Sequence, residues 1–482
     1  MKTLHPEFIK MITALGEPLG AGLLHELSCG TPSVAIRLNR AKGAAAVALS
    51  DATEVPWSGG RGFYLPRRPV FALDPAWHQG LYYVQDASSM ALGAVVAELV
   101  ERFFQDNTQI RYLDACAAPG GKTLAAVDAL PSDAFVLANE YDFRRASILT
   151  ENVVKHGSSN VAVSRGDTAR LAALGPVFDI VAADVPCSGE GMMRKDDEAV
   201  AQWTPALVDS CVARQREILA NLWQTLRPGG FLIYSTCTFN RAENEENVAW
   251  LVDNYGAESV PVALSDYPGV AGGIDTPYAC CRFIPGRIDG EGLFLAVLRK
   301  DAADISPSCR RRDKGRKGVK PVALPSGGAE YVLRCLGDGF KAMLMPDGAT
   351  LTAVPTAAAD FASTLRDGGL DILACGIAVA ALRGRELAPC HALAMAASLR
   401  AGSFPVLDLD YRSAMAYLHG DALSDIPDGA PRGYLLPCYR GKALGLAKCV
   451  GRRANNLYPD QWRLRSAFPA DAPADVVTTH CL

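Results

Sequence analysis

Asp184-Val-Pro-Cys-Ser-Gly-Glu-Gly-Met-Met-Arg-Lys195 follows the apolar run Phe178-Asp-Ile-Val-Ala-Ala183. The run is short, rich in aliphatic side chains and bounded like a buried strand, so a carboxylate, a proline and a thiol sit where that strand ends. A second thiol, Cys237, lies in Ser235-Thr-Cys-Thr238, just past the apolar run Gly230-Phe-Leu-Ile-Tyr234. In open α/β sheets, ligands bind beyond the carboxyl ends of the strands. Two cysteines at the same edge of one sheet call for a chemical explanation.

Around this stretch, the apolar runs Ile110–Leu113, Phe135–Ala138, Val161–Val163, Phe178–Ala183 and Phe231–Tyr234 alternate with helical patterns near 121–130, 141–156, 206–227 and 242–254. Such alternation predicts a parallel sheet covered by helices on both faces. Cys280–Ile284 and Leu293–Leu298, joined by a glycine-bearing loop, are expected to form a terminal antiparallel hairpin. Before this core, residues 1–75 show Phe8, Ile12 and Leu15 at helical spacing. A strand-like Ser33–Asn39 then carries Arg37, Arg40 and Lys42 at its end. These three cations read as a solvated basic edge, with an RNA contact as the alternative. After the core, Ser306–Pro321 is dense in charge, glycine and proline and reads as a basic linker. The expected organisation is therefore 1–75, a core over 76–300, a linker over 301–321 and a second globular region over 322–482. That last region ends in a cluster of cations and rings, Tyr439-Arg-Gly-Lys442, Lys448, Arg452-Arg453, Tyr458 and Trp462-Arg-Leu-Arg465.

Composition narrows the function. At 482 residues, 49% apolar and 21% charged, the chain has material for a sizeable core and roughly three domains. A net charge of −4 does not by itself indicate nucleic acid, so any such contact must come from local patches. No run approaches the length of a membrane span, and the stretch from Met1 to Pro6 has no apolar h-region. Fourteen cysteines without a leader point to free thiols in a reducing, cytoplasmic setting. None are spaced Cys-x-x-Cys and the seven histidines are scattered, so no metal site is expected. A monomer is the default expectation.

Asp114-Ala-Cys-Ala-Ala-Pro-Gly-Gly-Lys-Thr123 joins the first core strand to the first core helix. Its paired glycines let backbone approach a ligand, and the helix amino terminus offers unpaired N–H groups. A phosphate-binding P-loop would need a glycine where Cys116 stands, so that reading fails. Glu140 ends the second strand, at the place where acids bind ribose hydroxyls, and Asp167 follows the third. Each acid alone is more often a cap or turn residue. Three acids (Glu140, Asp167, Asp184) at successive strand ends, with a glycine loop and no phosphate signature, suit S-adenosyl-L-methionine better than NAD or ATP. The thiols supply the rest of the chemistry. Neutral cytosine attacks a methyl sulfonium poorly at C5, whereas addition of a thiolate to C6 makes C5 nucleophilic. Asp184 could hydrogen-bond the base edge and support N3 protonation.

The Ala-Pro-Gly-Gly-Lys loop, Asp-x-Pro-Cys-Ser-Gly-Glu-Gly and Tyr-Ser-Thr-Cys-Thr followed by Glu243-Asn-Glu-Glu-Asn247 resemble the Nop/Sun family of RNA cytosine-5 methyltransferases. Tyr82-Tyr-Val-Gln-Asp-Ala-Ser-Ser-Met90, Glu190-Gly-Met-Met-Arg-Lys195 and Gly290-Glu-Gly-Leu-Phe294 bring the likeness to its bacterial RsmF-like 16S rRNA methyltransferases. The tail shares Gly441-Lys442 and Asn455-Asn-Leu-Tyr-Pro459 with them. The resemblance implies a Rossmann-like class I methyltransferase core, a small α/β N-terminal domain and a PUA-like C-terminal region, both outer parts holding RNA. It implies Cys237 as nucleophile and Cys187 as the thiol associated with product release. It also implies that Cys116, Ala117, Ala118, Pro119, Gly120, Gly121, Lys122, Glu140, Asp167 and Asp184 bind the cofactor. Asp86 stands where glutamate is usual and Leu293 where histidine is commoner, which bears on substrate fit.

Pro186-Cys187 excludes the Pro-Pro-aromatic turn of amide methyltransferases, and the Thr-Cys-Thr thiol argues against a DNA cytosine methyltransferase. The expected partner is structured RNA, 16S rRNA or the small ribosomal subunit. A tRNA target and a non-catalytic assembly factor are the alternatives.

Overall fold

The computed structural model describes residues 2–16, 19–106, 109–303, 328–337, 341–384, 386–424, 426–427 and 429–479. The basic run 306–321 lies outside these residues.

Two helices open the chain, α1 (Pro6–Ala14) and α2 (Leu19–Cys29). The spacing of Phe8 and Ile12 is explained by their burial against Trp203 and Phe239 of the core. A small antiparallel sheet follows, built from β1 (Ala35–Leu38), β2 (Thr53–Glu54), β3 (Gly62–Tyr64) and β4 (Tyr82–Val84) in the order β2-β3-β1-β4.

The core begins with α3 (Ala91–Phe103), β5 (Arg111–Asp114), α4 (Gly121–Ala129) and β6 (Phe135–Glu140). It continues through α5 (Phe143–His156), β7 (Val161–Arg165), α6 (Thr168–Ala172), β8 (Phe178–Asp184), α7 (Pro205–Trp223), β9 (Leu226–Thr236) and α8 (Glu245–Tyr255). Strands β9-β8-β5-β6-β7 are parallel neighbours in that order. Successive side chains on these strands enter two different cores, which is why the strands read as unbroken apolar runs. Ile180 and Ile233 pack with α3 on one face, and Val181 and Leu232 pack with Leu219 and Leu222 of α7 on the other. Each such side chain contributes about 1.5–3 kcal/mol of burial.

The sheet continues beyond the parallel strands on both sides. β10 (Glu258–Val260), β11 (Cys281–Phe283) and β12 (Leu293–Arg299) lie past β9, and β12 is antiparallel to all three of its neighbours. The expected hairpin pairing of β11 with β12 is present, but β12 is inserted between β9 and β10 rather than hanging from the end. At the opposite edge, β13 (Asp371–Cys375) from the C-terminal region pairs antiparallel with β7, and Asp371 meets Arg165 at 2.7 Å. Among the described residues, a four-stranded antiparallel sheet and a five-stranded mixed sheet lie in the C-terminal half.

At two of the three cations at the end of β1 the solvated-edge reading is corrected. Arg37 is buried, donates to Gln85 Oε1 at 3.1 Å and pairs with Asp128 of α4. Lys42 Nζ donates to the Gln79 and Lys155 carbonyls, and burial together with Lys442 and Lys155 pushes its pKa down to about 7. Both residues anchor the N-terminal domain on the core, Arg37 buried and Lys42 part-buried; Arg40 alone of the three is exposed. The terminal basic and aromatic cluster separates in a similar way. Tyr458 is buried against His391, Tyr417 and Trp462, while Lys448, Arg452, Arg453 and Arg465 face outward.

Candidate active site

The parallel register sets Ser235 of β9 beside Asp184 of β8. Cys237 is two residues beyond the first and Cys187 three beyond the second, so neighbouring strands deliver the two thiols to one place. Their sulfur atoms are 3.2 Å apart.

Two buried glutamates hold the loops in that position. Glu190, on the loop after β8, reaches across to the loop after β9. Its Oε2 accepts the Phe239 and Asn240 backbone N–H groups at 2.7 and 3.0 Å, and its Oε1 accepts Asn240 Nδ2 and Trp203 Nε1. Glu243 reaches in the opposite direction. Its Oε2 accepts Ser188 N–H at 3.0 Å and Gln215 Nε2 at 2.6 Å, and its Oε1 accepts Asn240 Nδ2 at 2.7 Å. Gly191 N–H donates to the Cys237 carbonyl at 2.8 Å. A Cβ at Gly191 would lie 2.7 Å from that carbonyl oxygen and 2.8 Å from that of Glu291, so only glycine fits.

The surroundings of the two sulfurs differ. The Cys187 thiol is pushed well up by its hydrogen bond to Cys237, by burial and by the nearby Glu243 carboxylate. A raised thiol favours its protonated form, within hydrogen-bonding distance of Sγ of Cys237. Cys237 lies on the side of a cation, Lys122, whose own pKa is affected by it. Burial alone would lower the Lys122 ammonium, but Asp184, then Cys237 and Asp86, raise it overall. Cys237 thus has an ammonium and a second thiol for neighbours.

Asp184 is held from two sides. Its Oδ2 accepts Lys122 Nζ and its Oδ1 accepts Ser235 Oγ, both at 2.8 Å. Behind it, Asp114 is fully buried with Thr123 Oγ1 at 2.6 Å. Burial, opposed by that bond and reinforced by Asp184, raises its pKa to about 7.

A cleft of about 480 Å³ opens at these strand ends and brings together Cys116, Glu140, Asp167, Asp184, Cys187 and Cys237. Glu140 is buried; Oε1 accepts Asp142 N–H at 2.9 Å, while Oε2 has no hydrogen-bond partner and lies 3.6 Å from Arg145. Asp167 caps α6 through Ala169 N–H at 2.8 Å and also lines the cleft, so the cap reading and the ligand reading hold for one residue. Burial and the surrounding carboxylates hold the Cys116 thiol far up, which removes it as a rival nucleophile. Ala117, Ala118, Pro119, Gly121 and Lys122 line an adjoining hollow of about 160 Å³, shared with Tyr83, Gln85, Asp86 and Ser89.

Gly120 lines neither space. It takes φ 114° at the start of α4, with Leu149 beneath it. The reason expected for Gly121 also needs correcting, because a Cβ there would meet the Tyr83 ring at 3.1 Å; the glycine makes room for the N-terminal domain. Asp86 accepts the Ser89 and Glu291 N–H groups, and Leu293 is a core residue of β12.

Asn139, Tyr141, Arg145 and Arg214 in the cleft, and the Glu190–Asn240–Glu243 brace, are absent from the sequence-based site. The two glutamates stand inside quoted motifs, but their reciprocal reach appears only once β8 and β9 are known to be neighbours. Among the described residues no group of three or more His, Cys, Asp or Glu could hold a metal ion, and no helix is long and apolar enough to cross a membrane.

Comparison with known proteins gives the same picture. Residues 103–299 match the family described as 16S rRNA methyltransferase RsmB/F. Residues 4–87 match the N-terminal domain of 16S rRNA methyltransferase RsmF, and residues 404–464 the methyltransferase RsmF PUA domain. Ribosomal RNA small subunit methyltransferase F of Enterobacter sp. (strain 638) is 33% identical over 421 residues, covering 84% of this chain and 83% of that one. Its counterpart from Klebsiella pneumoniae (strain 342) is 33% identical over 419 residues, 84% of each chain. Among solved structures, NSun6 from Pyrococcus horikoshii with SFG superposes with a TM-score of 0.50 at 19% identity, over 61% of this chain and 98% of that one, a likeness of fold. With the thiol pair, the cleft and all three domains accounted for, the chain belongs to the RsmF branch of the RsmB/F family of 16S rRNA methyltransferases.

Proposed function

We propose that this chain methylates C5 of a cytidine in 16S rRNA, with S-adenosyl-L-methionine as donor, Cys237 as nucleophile and Cys187 as the residue that aids release. The observation that carries this reading is the 3.2 Å approach of two unlike thiols at the mouth of an acid-lined cleft.

The residues present fit the donor. Glu140 keeps a buried carboxylate oxygen without a hydrogen-bond partner, suited to a ribose diol, and Asp167 faces the same space. Lys122 is engaged by Asp184, so the loop offers no free cation to a phosphate chain. When bound, the sulfonium supplies an electrophilic methyl group.

The chain's own residues do the rest. The Cys237 thiolate forms a bond to C6, and the C5–C6 π pair shifts into the ring as N3 takes a proton from the Lys122–Asp184 pair. C5 is then electron-rich enough to take the methyl group. Loss of the C5 proton to water restores the C5–C6 double bond, breaks the S–C6 bond and returns the N3 proton. The Cys187 S–H, with its sulfur 3.2 Å from Sγ of Cys237, donates to the departing thiolate and stabilises it. This divides one difficult displacement into two easier steps. The target base must leave its stack to reach the sulfur.

Bisulfite sequencing of ribosomal and transfer RNA from cells with and without the gene tests the assignment. One or more protected cytidines in 16S rRNA should disappear with the gene. Unchanged 16S rRNA with losses in tRNA, or no change anywhere, would overturn it.

A further inference from the structure

A second groove, of about 770 Å³, runs between the small N-terminal sheet and the loop that carries Lys195. Thr31, Ser33, Tyr64, Arg67 and Arg68 line it from the N-terminal domain, and Lys195 lines it from the core.

The arginines are held ready for a ligand. They lie within Pro66-Arg-Arg-Pro69, where the prolines fix φ on both sides and Pro69 keeps Arg68 extended. Both are exposed and, among the described residues, neither has an ion pair; Arg68 rests over the Phe71 ring at 5.6 Å. Little loop entropy would be lost on binding an anion.

The groove also neighbours the reacting residues. Lys195 Nζ contacts Glu291 Oε1 at 3.1 Å, and Glu291 N–H donates to Asp86 Oδ1 at 3.0 Å. Asp86 lines the hollow that contains Lys122 and Asp184. Glu291 and Asp86 thus separate the groove from the hollow that holds Lys122 and Asp184.

Arg67, Arg68 and Lys195 outnumber the carboxylate of Asp289 in the groove, and with its hydroxyls and half-buried tyrosine they match a single-stranded phosphodiester, whose phosphates take guanidinium and whose bases take aromatic faces. An extruded target base requires such an unpaired flank. We propose that this groove seats the RNA strand on one side of the target cytidine, with Arg67 and Arg68 on successive phosphates. The inference rests on the RNA-methylating function proposed above.

The test compares the full chain with Arg67→Ala/Arg68→Ala, using a fluorescent single-stranded 16S rRNA oligonucleotide at 50–200 mM salt. Removing two phosphate contacts should make the plot of log affinity against log salt shallower by about 1.4. Binding near 100 mM salt should weaken on the order of tenfold, from the same counterion term. Arg67→Lys/Arg68→Lys should recover most of the loss, while donor affinity by calorimetry and the thermal midpoint stay those of the parent. A slope and affinity equal to the parent's would overturn the groove, and would leave the proposed function standing if the parent still methylates. A parent that binds RNA with the predicted difference but transfers no methyl group would overturn the function and keep the groove. A parent that binds no RNA would overturn both.

Discussion

At the ends of β6 and β7 the cleft is walled by Glu140 and Asp167, which each accept one backbone N–H, and Glu140 keeps Oε2 without a hydrogen-bond partner. At the ends of β8 and β9, Glu190 and Glu243 are buried and every carboxylate oxygen is bound, three of them twice. The first half retains acceptor capacity for a ligand that comes and goes. The second half has committed its capacity internally, and what that fixes is the separation of two sulfur atoms. Binding tolerates a preformed but open wall, whereas covalent catalysis needs its atoms held within a fraction of an ångström.

The sharpest way to break this contrast is Cys237→Ala. Turnover should fall by about 10⁴ or more, with donor binding by calorimetry intact. Retained turnover would remove the thiol from the chemistry. Cys187→Ala should lower steady-state turnover on the order of 10²-fold, since a proton donor to the leaving group is gone. It should also accumulate a protein–RNA adduct visible on a denaturing gel, and absence of that adduct would rule out its role in release.

Glu243→Gln tests the brace. It turns an acceptor into a donor facing Ser188 N–H, at a cost of roughly 1–3 kcal/mol if left unsatisfied. We expect kcat to fall roughly 10- to 100-fold while the KM for the donor holds; a change confined to that KM would contradict the division of labour. Glu140→Ala should do the reverse, weakening donor affinity about tenfold, as for a lost hydrogen bond to a charged group. Labelling of Cys237 by iodoacetamide should be unchanged in that variant.

The smallest effect concerns stability. The folded-state pKa of Asp114, near 7, lies above its ordinary 3.8. The folded chain thus holds a proton that the unfolded chain has released across this window. Its contribution is complete below the lower value and is lost as pH rises through the upper one. The advantage in thermal midpoint of Asp114→Asn over the parent should therefore be larger at pH 8 than at pH 5. Equal differences at both would show that Asp114 ionises freely in the fold.

Much of this was visible before any coordinates. Five apolar runs marked the parallel strands because buried strands leave an unbroken apolar trace, and the positions of Asp184, Cys187 and Cys237 followed from where those runs stop. Boundaries moved where side chains had other uses. The helix expected from 242 begins at Glu245, because the chain from Asn240 to Asn244 forms the brace and the turn that follows it. The one expected to 227 ends at Trp223, since β9 already starts at Leu226 and passes through an irregularity before Phe231. The edge strand β13 has no local signature of its partner, as pairing across some two hundred residues leaves no period in the sequence. Arg37 and Lys42 read as surface charges because their partners, Asp128 and the Gln79 and Lys155 carbonyls, are distant or have no sequence pattern.

The most direct measurement is to trap the enzyme on RNA carrying 5-fluorocytidine at the target, in the presence of the donor. Fluorine at C5 cannot leave as a proton does, so the adduct persists for digestion and mass spectrometry. The account predicts the nucleotide on the peptide that contains Cys237. Attachment to the peptide that contains Cys187 would contradict it.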